Sequence, residues 1–329
     1  MKPILSVRDL TAVFALRGGL ETRAVDGVSL DLFPGETLAL VGESGSGKTT
    51  LALSLLRLIP DPPGRIDSAS RIEFDGTDVL RLDAGALRRI RGGGMAMIFQ
   101  EAGSSLNPVM TVGAQIAETV RVHTGLGRRA ARGRARDLLA DVGLSDPERL
   151  DQYPHQLSGG MQQRVMIAMA LAGAPRVLIA DEPTTALDVT IQLQVLDLLA
   201  DLQQRLGLAL LLITHDLGVA ARIASRVAVM YAGRIVESAP AARVFGGPQH
   251  PYTEALLQAV PRLDRPAGRL PAIPGQPPRA SEWPAGCRFH PRCRHAWARC
   301  REQEPALLSA DADHAARCWL LAEPERRAQ

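Results

Sequence analysis

The stretch TLALVGESGSGKTTLALSLLRLI, residues 37–59, decides how this chain is read. Thr37–Val41 is a short apolar run suited to a strand buried on both faces, and TTLALSLLRLI has helical length and spacing. Between them, Gly42-Glu43-Ser44-Gly45-Ser46-Gly47-Lys48-Thr49 fits G-x-x-x-x-G-K-[ST]. A triphosphate needs several donors converging at short range. Backbone N–H groups in a side-chain-poor loop supply them, and the helix that follows adds its positive N-terminal end. Lys48 has the reach for the β- and γ-phosphates, Thr49 offers a hydroxyl to Mg²⁺, and Thr50 completes the candidate nucleotide loop. The motif alone leaves kinases, GTPases and motor ATPases open.

A second run narrows the field. Val177-Leu178-Ile179-Ala180-Asp181-Glu182 is an apolar strand ending in two carboxylates. Asp181 is placed to bind Mg²⁺, usually through water, and Glu182 to polarise an attacking water as general base. Ala209–Thr214 is another apolar strand, and His215 at its end can hydrogen-bond a γ-phosphate. Residues 101–175 lack strand signals and carry helical patterns, among them the Arg-rich, surface-like GRRAARGRARDLL. The first forty residues alternate β-rich runs with turn signals, as antiparallel edge strands do. The whole is α/β with a helical insertion.

Leu157-Ser158-Gly159-Gly160-Met161-Gln162-Gln163-Arg164 adds a second anion site. Ser158 reads as an N-cap, and two glycines expose N–H groups at the start of an apolar helix. LSGGMQQR resembles the signature of ATP-binding cassette (ABC) proteins, and the likeness runs from about residue 4 to 237. It implies a RecA-like P-loop NTPase core with an antiparallel β edge subdomain and a helical insertion. It makes Gln100 the Q-loop glutamine, sensing Mg²⁺ and the γ-phosphate, and Ala186-Leu187-Asp188 the D-loop. His215 becomes the switch histidine, and Phe14 is placed to stack on adenine, although a core-packing edge-strand Phe fits nearly as well. In that family two cassettes pack head to tail, so Ser158, Gly159, Gly160 and Gln162 would serve the partner's ATP. The resemblance further implies two transmembrane permease subunits, a second ATPase subunit or a second copy of this chain, and an extracytoplasmic solute-binding protein. The loop EAGSSLNPVMTVG (101–113) would receive a permease coupling helix.

Composition shifts after about residue 238. Thr253 is expected to cap a short helix, EALLQAV, which Pro261 ends. Seven prolines between Pro261 and Gly286 read as a tied-down or extended linker. His250-Pro251-Tyr252-Thr253 and GCRFHPRC (286–293) resemble the tail of oligopeptide/dipeptide permease ATP-binding subunits. The expected division is therefore an ATPase domain over 1–237, with its core at about 1–100 and 171–237 and its helical subdomain at about 101–170. A small Cys-rich extension over 238–329 follows. Cys287, Cys293, Cys300 and Cys318 are spaced C-x5-C-x6-C-x17-C, which suits zinc or an iron–sulfur cluster, though no C-x-x-C pair is present. Arg288, Arg292, Arg294, Arg299 and Arg301 lie close by and are expected to lower the thiol pKa values. The resemblance favours a [4Fe–4S] cluster, with Zn²⁺ as the alternative and free thiols or disulfides as the remaining readings. His290, His295 and His314 are substitute ligands or, more simply, surface residues.

The remaining arithmetic excludes other classes. With 329 residues, 46% of them hydrophobic, the chain is expected to bury a core in about two domains. A net charge of +3 gives no reason to expect nucleic acid or a polybasic membrane tail. The longest apolar run, Val165–Ala174, is too short to cross a bilayer, and MKPILSVRDL is no secretory signal. The expectation is an ATP hydrolase peripheral to the cytoplasmic face of the inner membrane, energising di-/oligopeptide import. Importers of nickel or glutathione are alternatives, and so is a soluble ABC ATPase acting on nucleic acid or ribosomes. An iron–sulfur redox protein regulated by ATP has no flavin motif to support it.

Overall fold

The computed structural model describes residues 2–16, 18–185, 187–260 and 272–328. The chain forms two compact units, one centred on Phe74–Ile213, the other on Ser6–Asp31, Leu38–Glu73 and the chain from Thr214 onward.

The first unit holds the strands Met95–Ile98, Val177–Asp181 and Ala209–Thr214, parallel and in register from Met95↔Val177 and Val177↔Ala209. Every residue of the three is buried, which parallel strands covered on both faces require. Parallel neighbours need crossover connections, and helices supply them. Ala102–Ser105, Val112–Thr124, Arg128–Asp141 and Gly159–Leu171 lie between the first two strands, and Val189–Leu206 lies between the next two. The last helix starts at Asp188, whose side chain accepts from Ile191 N–H, and stops at Gly207 in the left-handed region. Its buried stripe is Val195, Leu196, Leu199 and Leu202, a helical spacing. On Arg128–Asp141 the small or apolar Ala131, Ala135, Leu138 and Leu139 face inward while the arginines stay outside. These are the α/β core and helical insertion expected from the sequence.

In the second unit Glu21–Leu32, Leu5–Ala15 and Arg71–Phe74 lie side by side. Gly64–Ile66 runs antiparallel to Leu5–Ala15, from Ala12↔Ile66 to Phe14↔Gly64. A further set of strands starts at Thr37–Val41, parallel to Arg226–Tyr231. Arg226–Tyr231 turns back into Arg234–Pro240, against which His314–Ala316 and then Leu308–Asp311 add two short antiparallel strands. The far C-terminal chain therefore completes a sheet that begins beside the phosphate loop. The buried cluster joins Val41, Val229, Tyr231, Val236, Tyr252 and Phe289. Tyr231, Tyr252 and Phe289 meet with ring centroids 4.5–5.3 Å apart, contacts worth about 0.5–1.5 kcal/mol each beyond burial.

Among the described residues no helix is long and apolar enough to cross a membrane.

Candidate active site

The phosphate loop is gripped at both ends. A Cβ on Gly42 would stand 2.1 Å from Met230 O, and one on Gly47 (φ +103) 2.3 Å from Ala24 O. Ser46 O accepts from Gly233 N–H at 2.9 Å. Lys48 is buried, and its Nζ donates to Gly42 O (2.8 Å) and Glu43 O (3.0 Å), which fixes the ammonium across the loop. Ser46 is buried, Thr50 is half-buried, and Ser44, Gly45 and Thr49 are exposed. The helix Lys48–Leu55 opens directly on the loop with no side chain capping it, so its N-terminal donors face that same loop. Phe14 is half-buried near the end of Leu5–Ala15, a strand paired on both sides, with its ring edge 2.8 Å from where a Cβ on Gly64 would sit. His215 is exposed at the end of Ala209–Thr214, and Asp216 beside it caps the next helix through Gly218 N–H (2.7 Å).

In the other unit Asp181 is the buried last residue of its strand, and Glu182 follows with φ +47. A non-glycine residue in the left-handed region costs about 1–2 kcal/mol, and such strain is held where a side chain must be aimed. The hydrogen bond from Glu182 N–H to Ile213 O (2.9 Å) helps to hold it. Glu182 Oε2 accepts from Thr185 Oγ1 (2.9 Å) and from Gln100 Nε2 (3.3 Å). The structure thus brings together Gln100 and Glu182, 82 positions apart, and adds Thr185, which sequence reasoning missed. A carboxylate oriented by two donors can take a proton from water. Asp181 and Gln100 each carry a side-chain oxygen, the donor type Mg²⁺ prefers.

The signature helix Gly159–Leu171 begins at Ser158, whose Oγ accepts from Met161 N–H at 3.4 Å. Ser158 and Gly159 are exposed. Gly160 is half-buried, and a Cβ there would meet Ile191 Cγ2 at 2.5 Å. Gln162 turns inward, donating to Pro154 O (2.8 Å) and Leu157 O (3.3 Å). Ala186 of the D-loop lies outside the described residues.

Residues 25–185 match the family described as ABC transporter, and residues 236–300 the one described as oligopeptide/dipeptide transporter, C-terminal region. The chain is 50% identical over 317 residues to a protein of Brucella abortus (strain 2308) provisionally named a peptide import ATP-binding protein. That alignment covers 96% of this chain and 94% of its relative. The chain belongs to the ABC transporter ATP-binding proteins. A similarly named protein of Brucella melitensis is 50% identical over 328 residues, covering 96% of this chain and 97% of its own. Two solved structures share the fold at TM-score 0.64 and 28% identity. The cassette MJ0796, in a dimeric post-hydrolysis state with ADP and Pi, covers 72% of this chain and 98% of its own. CbiO1 from Clostridium perfringens covers 75% and 92%. As an ABC ATPase the chain binds and hydrolyses ATP.

The C-terminal region of this ABC ATPase corrects several expectations. No [4Fe–4S] or zinc site is supported: among the described residues no group of three or more His, Cys, Asp or Glu is placed to hold a metal ion. The four cysteines are free thiols around one largely apolar pocket, with Phe289, Trp297 and Leu320. Burial pushes Cys287 and Cys318 up to about 12 and Cys293 to about 11, and raises Cys300, the reverse of the expected depression. A metal ligand must be a thiolate, and here burial opposes one. Four of the five arginines are committed to carboxylates: Arg288 to Asp26, Arg292 to Glu43, Arg294 to Glu254 and Arg299 to Glu323. His314 is buried rather than at the surface, its Nε2 2.7 Å from Glu237 Oε1, and His290 Nδ1 lies 2.9 Å from Cys287 O.

Thr253 is not a cap. The helix runs Pro251–Gln258, and His250 Nδ1 caps it by accepting from Tyr252 N–H at 3.0 Å. Proline is favoured at the first helical position, which moves the start upstream of Thr253. Pro261 and the first part of the proline-rich linker lie outside the described residues.

Proposed function

We propose that this ABC ATPase energises peptide import. The observation that carries the reading is the pairing, in one chain, of the ABC match with the oligopeptide/dipeptide transporter C-terminal region. The identity of 50% to peptide import ATP-binding proteins over nearly the whole chain supports it.

In this reading residues 1–237 are the ATPase domain, and 238–329 the transporter-type extension. Gly42–Thr50 hold the triphosphate, with Lys48 on the β- and γ-phosphates and Phe14 beside the adenine. Thr49, Gln100 and Asp181 hold Mg²⁺, which when bound neutralises charge on the phosphate oxygens. Glu182 takes a proton from the attacking water as the water oxygen bonds the γ-phosphorus and the bond to ADP breaks. Thr185 and Gln100 keep that carboxylate aimed, and His215 hydrogen-bonds the γ-phosphate.

Ser158, Gly159, Gly160 and Gln162 serve the nucleotide of a second ATPase subunit, either another copy or a paralogue. Two observations support that face: the exposed start of the signature helix, and Val189 and Leu193, an apolar pair four residues apart and 73% and 40% exposed. Of the two permease subunits, one docks its coupling helix at 101–113 of this chain, where Val109 is 78% exposed. Gln115, itself buried, braces that loop through Asn107 O and Met110 O. The chain then works at the cytoplasmic face of the membrane, and a solute-binding protein delivers peptide from outside.

The test is Glu182→Gln, which keeps the side chain's shape. Single-turnover phosphate release should fall by about 10²–10⁴ while ATP still binds, and ATP should hold the protein as a dimer. Release at the wild-type rate refutes the assignment. Stimulation of ATPase activity by the reconstituted permease with peptide-loaded binding protein tests the import reading.

A further inference from the structure

The phosphate loop and the C-terminal region are far apart in sequence and meet at Glu43. The Glu43 N–H donates to Tyr252 Oη at 2.9 Å. The Glu43 carboxylate is held by both guanidinium nitrogens of Arg292, at 2.6 and 3.0 Å. Such a forked pair fixes direction as well as distance. Arg292 is itself immobilised: its side chain is 4% exposed, its Nε donates to Pro274 O at 2.9 Å, and Nη1 lies 3.4 Å from Tyr231 Oη. Burial disfavours the Arg292 charge, but the hydrogen bonds to Glu43 and Tyr231 and the charges of those two groups together outweigh it, and the pKa is raised. Tyr252 is fully buried among Tyr231 and Phe289, so its hydroxyl is a fixed point.

Glu43 in turn holds the lysine, because its carbonyl receives the Lys48 ammonium at 3.0 Å. A second tie runs through the same region. Arg288 donates to Ala232 O and to Asp26, and the neighbouring Gly233 N–H holds Ser46 O. The loop is thus anchored at 43 and at 46, with both anchors traceable to residues beyond 250.

We propose that Arg292 and Tyr252 are positioning residues for ATP hydrolysis, through which the C-terminal region presets the phosphate loop and so sets the affinity for MgATP. The proposal rests on the reading that Gly42–Thr50 hold the triphosphate. Four glycine and serine residues in a row would otherwise sample many backbone conformations. A loop ordered in advance loses less freedom when nucleotide binds, so the effect belongs in affinity rather than in the chemical step. The C-terminal region then does more than extend the sheet: any partner or change that loosens it weakens nucleotide binding.

The experiment uses the full-length chain. Tyr252→Phe deletes one hydroxyl and keeps the packing, and Arg292→Met deletes the fork and keeps the stem. Arg294→Ala, which loses its exposed contacts with Glu254 and His295, is the control. KM for MgATP should rise about threefold to tenfold in Tyr252→Phe and about tenfold or more in Arg292→Met, with kcat within about twofold of wild type. Hydrogen exchange of the peptide containing residues 42–49, without nucleotide, should accelerate in both variants and not in Arg294→Ala. Wild-type KM and wild-type exchange in a folded Tyr252→Phe overturn the proposal, and so does a fall in kcat with KM unchanged. If Arg292→Met does not fold, Tyr252→Phe decides alone. Lys48→Ala separates the two readings. If nucleotide binding survives it, the loop assignment fails; if binding is lost while Tyr252→Phe and Arg292→Met behave as wild type, only the positioning role fails.

Discussion

The two signature glycines, adjacent and chemically identical, should respond to alanine in opposite ways. At Gly159 an added Cβ would lie 3.6 Å from Leu187 Cδ2, an ordinary contact. At Gly160 it would lie 2.5 Å from Ile191 Cγ2, against an optimum of about 3.5–4.0 Å between carbons. The missing ångström must come from Ile191 or from the helix behind it. Ile191 is half-buried and β-branched, so turning it off its rotamer costs about 0.5–1.5 kcal/mol, and overpacking in general about 1–3 kcal/mol. Helix propensity returns up to about 1 kcal/mol at either position. Gly159→Ala should therefore be neutral or up to about 1 kcal/mol stabilising, and Gly160→Ala destabilising by about 1–2 kcal/mol. Ile191→Ala removes the offending methyl, so Gly160→Ala combined with Ile191→Ala should be more stable than the sum of the single changes by about 1 kcal/mol or more. Urea unfolding of wild type and the four variants measures this, and ATPase activity measured in parallel separates packing from nucleotide use. Equal midpoints for the two glycine variants, or strict additivity with Ile191→Ala, would refute the reasoning.

Three further outcomes are expected. Burial pushes the His250 imidazole down from 6.5 to about 3, so the unfolded chain binds a proton that the folded chain refuses between those values. Stability should fall as pH drops through that window, by up to about 1.4 kcal/mol per unit, and not change from this group above it. In urea titrations between pH 7 and 4, His250→Asn should lose stability less steeply than wild type; identical slopes would count against it. Thr253 Oγ1 is buried without a hydrogen-bond partner, so Thr253→Val should be neutral or stabilising, while His250→Ala should lose about 0.5–2 kcal/mol of cap by chemical denaturation. Gly45 has open space around it at φ +78, so Gly45→Ala should cost about 1–2 kcal/mol and retain ATP binding. Gly47→Ala drives a Cβ into the Ala24 carbonyl and should abolish binding in a nucleotide titration.

Local chemistry was legible wherever it is written in consecutive residues. The run TLALV with GESGSGKT, the carboxylates closing VLIAD-E, and Ser158 before two glycines each carry their meaning within one short consecutive run, because strand burial, loop donors and helix caps are short-range effects. The family followed from those motifs, and the C-terminal type from HPYT and GCRFHPRC. Contacts between distant positions were not legible. Nothing near Thr185 marks it as the donor that orients Glu182, and nothing near Glu43 points to Arg292, 249 residues away. The strands Arg226–Tyr231 and Arg234–Pro240 carry no motif, and a short apolar run such as VAVMY does not by itself distinguish a strand from a buried helix segment. The cysteine cluster misled for a related reason. Spacing shows that thiols are near one another in sequence, but whether they become thiolates depends on burial and on what the neighbouring arginines are paired with.

The sequence by itself determined the nucleotide chemistry and the α/β class, since both arise from residue types at fixed short spacings. Only the tertiary structure decided that the arginines of the tail hold Asp26 and Glu43 rather than the cysteines, and that His250, not Thr253, starts the last well-formed helix. Ion pairs and buried caps are chosen by which groups folding brings within about 3 Å, and sequence separation carries no record of that distance.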